Sequence, residues 1–234
     1  MYTPREKKFS HPNERERYFA FSLFFIFNLN CLLVNQTNIH PINDRLLSRT
    51  DKELLTGHSG SVFWLYGLSG SGKSTLAVEM EKSLHDRNIH SVILDGDNLR
   101  SGLNKDLGFS DEDRRENIRR VSEMAKVLSE NGIISIVSMI TPLREFRDLA
   151  KSVIGDTFFH EIFIKASFSV CQKRDVKGLY AKAAKGGVDA FTGKESNFED
   201  PIEHCIIIES EKETQQQSAE KLLDYILSSI SLSK

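Results

Sequence analysis

The stretch Gly67-Leu68-Ser69-Gly70-Ser71-Gly72-Lys73-Ser74 fits G-x-x-x-x-G-K-[ST], a pattern that dictates much of the chain around it. The pattern needs a strand before it and a helix after it. Both are legible: Val62–Tyr66 is an apolar run, and helical spacing begins near Lys73. The glycines let the backbone curl so that successive N–H groups converge on phosphate oxygens. The N-terminus of the following helix adds partial positive charge. Lys73 brings a full charge to the β- and γ-phosphates, and the hydroxyl of Ser74, which Thr75 follows, suits Mg²⁺. A chance glycine-rich turn would not carry both flanking elements.

Beyond this loop, short apolar runs alternate with amphipathic segments. The runs fall at 62–66, 91–94, 133–140, 159–164 and 205–208, and are rich in Val, Ile and Phe with little alternation, as in strands covered on both faces. Helical spacing occupies 74–87, 111–131, 143–153, 169–175 and 217–229, with an earlier stretch from Asp44 to Leu55. Ser110, with Asp113 three residues on, marks a helix start. Strand–helix alternation implies an α/β fold, a parallel sheet with helices on both faces.

Asp95-Gly96-Asp97-Asn98 follows the run at 91–94. Ligands of open parallel sheets sit beyond the carboxyl ends of the strands, so Asp95 and Asp97 face the same crevice as the glycine-rich loop. One carboxylate there can hold Mg²⁺; the other can accept a proton from an attacking hydroxyl. Asp-Gly is also a common turn pair. Two acids at a strand end beside a phosphate loop favour chemistry. No N-K-x-D segment of the GTPase kind accompanies them.

Composition narrows the remaining choices. The 234 residues carry a net charge of −2, with 39% hydrophobic and 27% charged residues, so the chain has a normal core and is no general binder of nucleic acid. Cys31, Cys171 and Cys205 form no CxxC pair, which fits reduced thiols in a cytosol. Residues 1–34 differ from the rest. A charged stretch to Arg17 precedes the apolar run Tyr18–Val34, which is shorter than the roughly 20 residues of a membrane helix and lacks an A-x-A cleavage pattern. We expect 1–34 to be a disordered or spurious extension of a domain at 35–234. A membrane-associating tail and an export signal stay open, although export conflicts with a need for ATP.

Taken in order, GLSGSGKST (67–75), LDGDNLR (94–100), GLNKDLGFSDEDRRENIRRV (102–121), RDVKGLY (174–180) and FTG (191–193) resemble the adenylylsulfate kinase family over residues 35–234. The resemblance implies a P-loop NTPase fold of the nucleoside-monophosphate-kinase-like kind, and phosphorylation of the ribose 3′-hydroxyl of adenosine 5′-phosphosulfate by MgATP. It implies Asp97 as general base, Asp95 and Ser74 near the metal, and Arg174 with the phosphate loop on ATP. Arg100, Arg114 and Asn117 would hold the phosphosulfate, since guanidinium forks bind tetrahedral oxyanions in pairs of hydrogen bonds. Phe109 and Phe191 would sandwich the adenine, and Ile140, Lys177 and Leu179 would also reach the substrate. Arg119 and Arg120 read as exposed helix charges. The implied setting is cytoplasmic sulfate assimilation by a homodimer, coupled functionally to ATP sulfurylase, with no nucleic-acid or membrane partner.

The chain departs from the family pattern in places. Thr141, before Pro142, occupies the position of the family's phosphate-carrying serine; direct in-line transfer needs no such residue. Val176 replaces a proline, Ala184 an arginine, and Ser101 a common histidine. Two other readings exist: a kinase of the same fold acting on another hydroxyl, and a non-catalytic nucleotide-binding partner of sulfurylase. The first would not need the ENIRR helix, and Lys73, Ser74, Asp95 and Asp97 argue against the second.

Overall fold

The structure is a computed structural model and describes residues 39–175, 178, 180, 198–202 and 205–232. The expectation for residues 1–34 lies outside them. The chain divides into two units, 1–46 and 47–234. The described part of the first holds one 3-10 turn, Asn43–Arg45.

The second unit is built on five parallel strands in the order β2-β3-β1-β4-β5. They are β1 (Val62–Tyr66), β2 (Ser91–Asp95), β3 (Ile134–Ser138), β4 (Phe159–Lys165) and β5 (Ile206–Glu209). The helices are α1 (Arg49–Thr56), α2 (Lys73–His85), α3 (Gly96–Ser101), α4 (Asp111–Glu130), α5 (Arg144–Ile154), α6 (Phe168–Arg174) and α7 (Gln215–Ile230). This is the parallel sheet with helices on both faces that the alternation implied, in the P-loop architecture that the resemblance implied. Central β1 shows why the pattern barely alternates. Phe63 and Leu65 pack with Leu76 and Met80 of α2 and Leu222 and Ile226 of α7. Val62, Trp64 and Tyr66 pack on the other face with Ile118 and Val121 of α4 and Phe146 and Ala150 of α5. Burying a large apolar side chain in this way contributes roughly 1.5–3 kcal/mol.

Several boundaries differ from the sequence reading, each for a local reason. The helical spacing at Asp44–Leu55 is broken, because Ser48 accepts a bond from Asp51 N and Asp51 bonds back to Ser48 N, a capping box that starts α1 at Arg49. Thr214 and Gln217 form the same device and start α7 at Gln215. Strand β3 stops at Ser138, short of Ile140, because the chain turns into the left-handed region at Thr141, φ 42°. The segment after β2 forms the short helix α3, capped by Asp95. The register pairs Ser138 with both Leu65 and Asp95, so the ends of β1, β2 and β3 lie at one edge of the sheet.

Candidate active site

The glycine-rich loop runs from the end of β1 into α2. Gly67, Gly70 and Gly72 have φ of 149°, 79° and 108°. At Gly67 there is a second constraint: a Cβ would stand 2.4 Å from the carbonyl oxygen of Ile164 at the end of β4. Lys73 folds back over the loop and donates from Nζ to the carbonyl oxygens of Gly67 (2.9 Å) and Leu68 (2.8 Å). Its ammonium is therefore held above the main chain that would receive phosphates. From the far side, Arg174 at the end of α6 donates to the carbonyls of Gly70, Ser71 and Ser210. Ser210 donates to the carbonyl of Ser71 at 2.6 Å, and Tyr180 Oη to that of Ser69 at 2.8 Å. Arg174, expected on ATP, thus also braces the loop that would carry it.

Asp95 sits where the loop, β2 and β3 meet. Its carboxylate accepts from Ser74 Oγ at 2.8 Å and from the amide of Asp97 at 3.0 Å, while Ser74 Oγ lies 3.2 Å from Ser138 Oγ. Burial pushes the Asp95 carboxyl up, but bonds from Ser74, the Asp97 amide, Ser138 and the Asn98 amide outweigh it and leave the group below its ordinary value. Asp95 is therefore ionised beside the Ser74 hydroxyl at neutral pH. Ser138 was not singled out from the sequence; a serine ending an apolar strand carries no signal there. Among the described residues no group of three or more His, Cys, Asp or Glu side chains could hold a metal. The oxygen pair of Ser74 and Asp95 instead suits a hard cation that also takes ligands from a nucleotide.

Two cavities open at this edge. The larger, about 460 Å³, is lined by Ser69 to Leu76, which includes Thr75, and by Asp95, Arg174 and Ser210. The smaller, about 100 Å³, is lined by Arg100, Phe109, Arg114, Asn117, Thr141 and Phe146, among others. Gly96, Asp97, Met139 and Ile140 belong to both walls. Asp97, in the first turn of α3, stands at the junction.

The smaller cavity is basic and aromatic. Phe109 is 60% exposed, with the Arg100 guanidinium 4.4 Å and the Arg114 guanidinium 5.9 Å from its ring centre. Arg100 donates to the carbonyls of Leu107 and Gly108, and Arg114 to that of Phe109. Burial depresses the proton affinity of both guanidinium groups, and the charge of Arg114 depresses that of Arg100 further. Two cations that repel each other in a half-buried cleft are stabilised by an anion between them. Asn117 is buried and accepts from Asn104 Nδ2 at 2.6 Å. Arg120 is more than an exposed helix charge. It forks onto Asp106 at 2.8 and 2.9 Å and bonds Glu116, tying the 102–108 loop to α4. Arg119 and, against a burial cost, Arg120 hold the Glu116 carboxyl down at about 2. Thr141 is buried; its Oγ1 accepts from Trp64 Nε1 at 2.9 Å. Lys177, Leu179 and Phe191 lie outside the described residues.

Residues 59–209 match the family model for adenylylsulphate kinase. The adenylyl-sulfate kinase of Phocaeicola vulgatus is 48% identical over 194 residues, covering 83% of this chain and 95% of that protein. That of Staphylococcus carnosus is 42% identical over 184 residues, 79% of this chain and 92% of that one. Among solved structures, the Mycobacterium tuberculosis APS kinase CysC in complex with AMPPNP and APS superposes with a TM-score of 0.68 at 41% identity, covering 72% of this chain and 98% of that one. The chain belongs to the adenylylsulfate kinase family.

Proposed function

We propose that this chain transfers the γ-phosphoryl group of ATP to the ribose 3′-hydroxyl of adenosine 5′-phosphosulfate, giving 3′-phosphoadenosine 5′-phosphosulfate and ADP. The observation that carries this reading is the meeting of two unlike cavities at Asp97, one walled by the phosphate loop and the other by Arg100, Arg114 and Phe109.

In this reading ATP lies along Gly67–Thr75, with its phosphates on the loop amides and the α2 N-terminus, and Lys73 turns from the loop carbonyls to the β- and γ-phosphates. Ser74 and Asp95 would hold Mg²⁺, which when bound neutralises charge on the nucleotide's phosphates. Arg100, Arg114 and Asn117 hold the phosphosulfate, and Phe109 stacks on the adenine, joined by Phe191, Ile140, Lys177 and Leu179. Asp97 takes the proton as the 3′-oxygen bonds to the γ-phosphorus and the bond to the β–γ bridging oxygen breaks, so that ADP leaves. Transfer is direct. A buried Thr141 hydroxyl that already accepts from the Trp64 indole supports a supporting role for it in place of a phosphorylated one. The reaction belongs to sulfate assimilation, in the cytoplasm where ATP is available, by a homodimer supplied by ATP sulfurylase.

No helix among the described residues is long and apolar enough to cross a membrane. The test is ADP release by the purified chain with MgATP and a panel of acceptors. We expect release that depends on adenosine phosphosulfate. Turnover of a sugar or nucleoside but not adenosine phosphosulfate would overturn the reading.

A further inference from the structure

Arg147 is a charged residue in a place where charge is costly. It is 3% exposed, in the second turn of α5, one residue after Phe146, which lines the smaller cavity. A buried cation is tolerated only when its donors are matched. Here each guanidinium nitrogen has its own target. Nε pairs with Glu161 of β4 at 3.1 Å. Nη1 donates to the carbonyls of Thr141 (3.0 Å) and Pro142 (3.2 Å), and Nη2 to that of Glu199 (2.9 Å). Its Cζ lies over the Tyr66 ring, 4.6 Å from the ring centre.

These targets are not scattered. Thr141 and Pro142 are wall residues of the smaller cavity, and Ile140, just before them, belongs to both cavities. Thr141 has φ of 42°, a conformation unfavourable for a β-branched side chain. Such a conformation persists only where its surroundings over-determine it. Trp64 Nε1 grips its hydroxyl and Arg147 its carbonyl. The segment 198–200 closes the arrangement: Glu199 N donates to the Pro142 carbonyl at 2.9 Å, and Arg144 donates from N to Glu199 Oε2 and from Nε to the Asp200 carbonyl.

We infer that Arg147 is a positioning residue for the acceptor cavity: through its carbonyl bonds it fixes the Thr141–Pro142 wall and the 198–200 segment to each other. This rests on reading that cavity as the adenosine phosphosulfate site. None of these bonds reaches a residue that lines only the larger cavity, so loss of the fork is expected to act mainly on one substrate. Lysine keeps the charge near Glu161 but has a single nitrogen on a shorter reach, and it cannot serve three carbonyls lying in different directions. Glu161→Gln does the reverse, removing the ion pair and leaving the carbonyl bonds.

The experiment is steady-state kinetics on wild type, Arg147→Lys, Glu161→Gln and Trp64→Phe, varying each substrate in turn. Arg147→Lys is expected to raise KM for adenosine phosphosulfate at least about tenfold while KM for ATP stays within about twofold. Trp64→Phe, which loosens the same wall from the other side and retains an aromatic ring, is expected to shift the same constant in the same direction, by less. It decides the matter should Arg147→Lys not fold. Glu161→Gln is expected to leave that constant within about twofold. Equal changes in both KM values, or a Glu161→Gln effect as large as that of Arg147→Lys, would overturn the inference. A wild type inactive on adenosine phosphosulfate would overturn the functional reading beneath it as well.

Discussion

The larger and the smaller cavity meet at Asp97, yet they are built in different ways. The first is centred on one run of chain, Ser69 to Leu76, with Asp95, Ser138, Arg174, Ser210 and others closing its walls, and phosphates would meet that run through its main-chain N–H groups. Its shape follows from glycines at positive φ and from the close approach of Gly67 to Ile164. The second is made by side chains drawn from α3, the loop after it, α4, the end of β3 and α5. Those residues are held by further side chains: Asn117 by Asn104, Thr141 by Trp64 and Arg147, and the 102–108 loop by Arg120 through Asp106. A main-chain site tolerates most side-chain changes and fails at a few points. A side-chain site loses affinity gradually as its supports are removed.

Substitutions can break that comparison. The largest effect is expected at Lys73→Ala, in the larger cavity. Turnover should fall by several orders of magnitude, because the ammonium stabilises charge on the transferring group. Near wild-type turnover of the purified variant would remove Lys73 from the mechanism. Next come Arg100→Ala and Arg114→Ala. Each removes a charge-assisted contact of about 1.5–3 kcal/mol, roughly ten- to hundredfold in KM for adenosine phosphosulfate, with KM for ATP little changed. Equal shifts in the two constants would make these arginines structural and erase the distinction between the cavities. The smallest effect is expected at Thr141→Ala, which leaves the Trp64 N–H without its acceptor but touches no transferring group. Turnover should stay within about tenfold of wild type. A phosphorylated Thr141 trapped at a rate matching turnover would contradict direct transfer.

The same contrast governs what could be read from the sequence. The phosphate loop was legible because its geometry demands particular residues at fixed spacing, and β1 was legible to the residue because both its faces are covered. Arg100, Phe109, Arg114 and Asn117, expected at the acceptor from the family resemblance, line one cavity. Helix α3 escaped notice because six residues beginning Gly-Asp after an aspartate read as a turn; only the carboxylate of Asp95, bonding Asp97 N, starts the helix. The supports were hardest to see. Arg120 looks like any solvated charge on an amphipathic helix until Asp106 folds against it. Arg147 did leave a trace, since it falls on the apolar stripe of Leu143, Phe146, Ala150 and Ile154, where a surface charge does not belong. The sequence does not reveal which carbonyls would meet it, because they belong to segments as far away as Glu199.

Asp97 lines both cavities and, in the proposed reaction, serves the proton transfer and neither ligand's binding. Asp97→Asn keeps the shape of the side chain but cannot accept the proton of the 3′-hydroxyl. Turnover and the binding of both ATP and adenosine phosphosulfate should be measured on one preparation of this variant. We predict a loss of turnover of about 10²–10⁴-fold with both ligands bound nearly as in wild type. Loss of ATP binding together with turnover would contradict the account, moving Asp97 to the nucleotide's side of the junction and leaving the proton to another group.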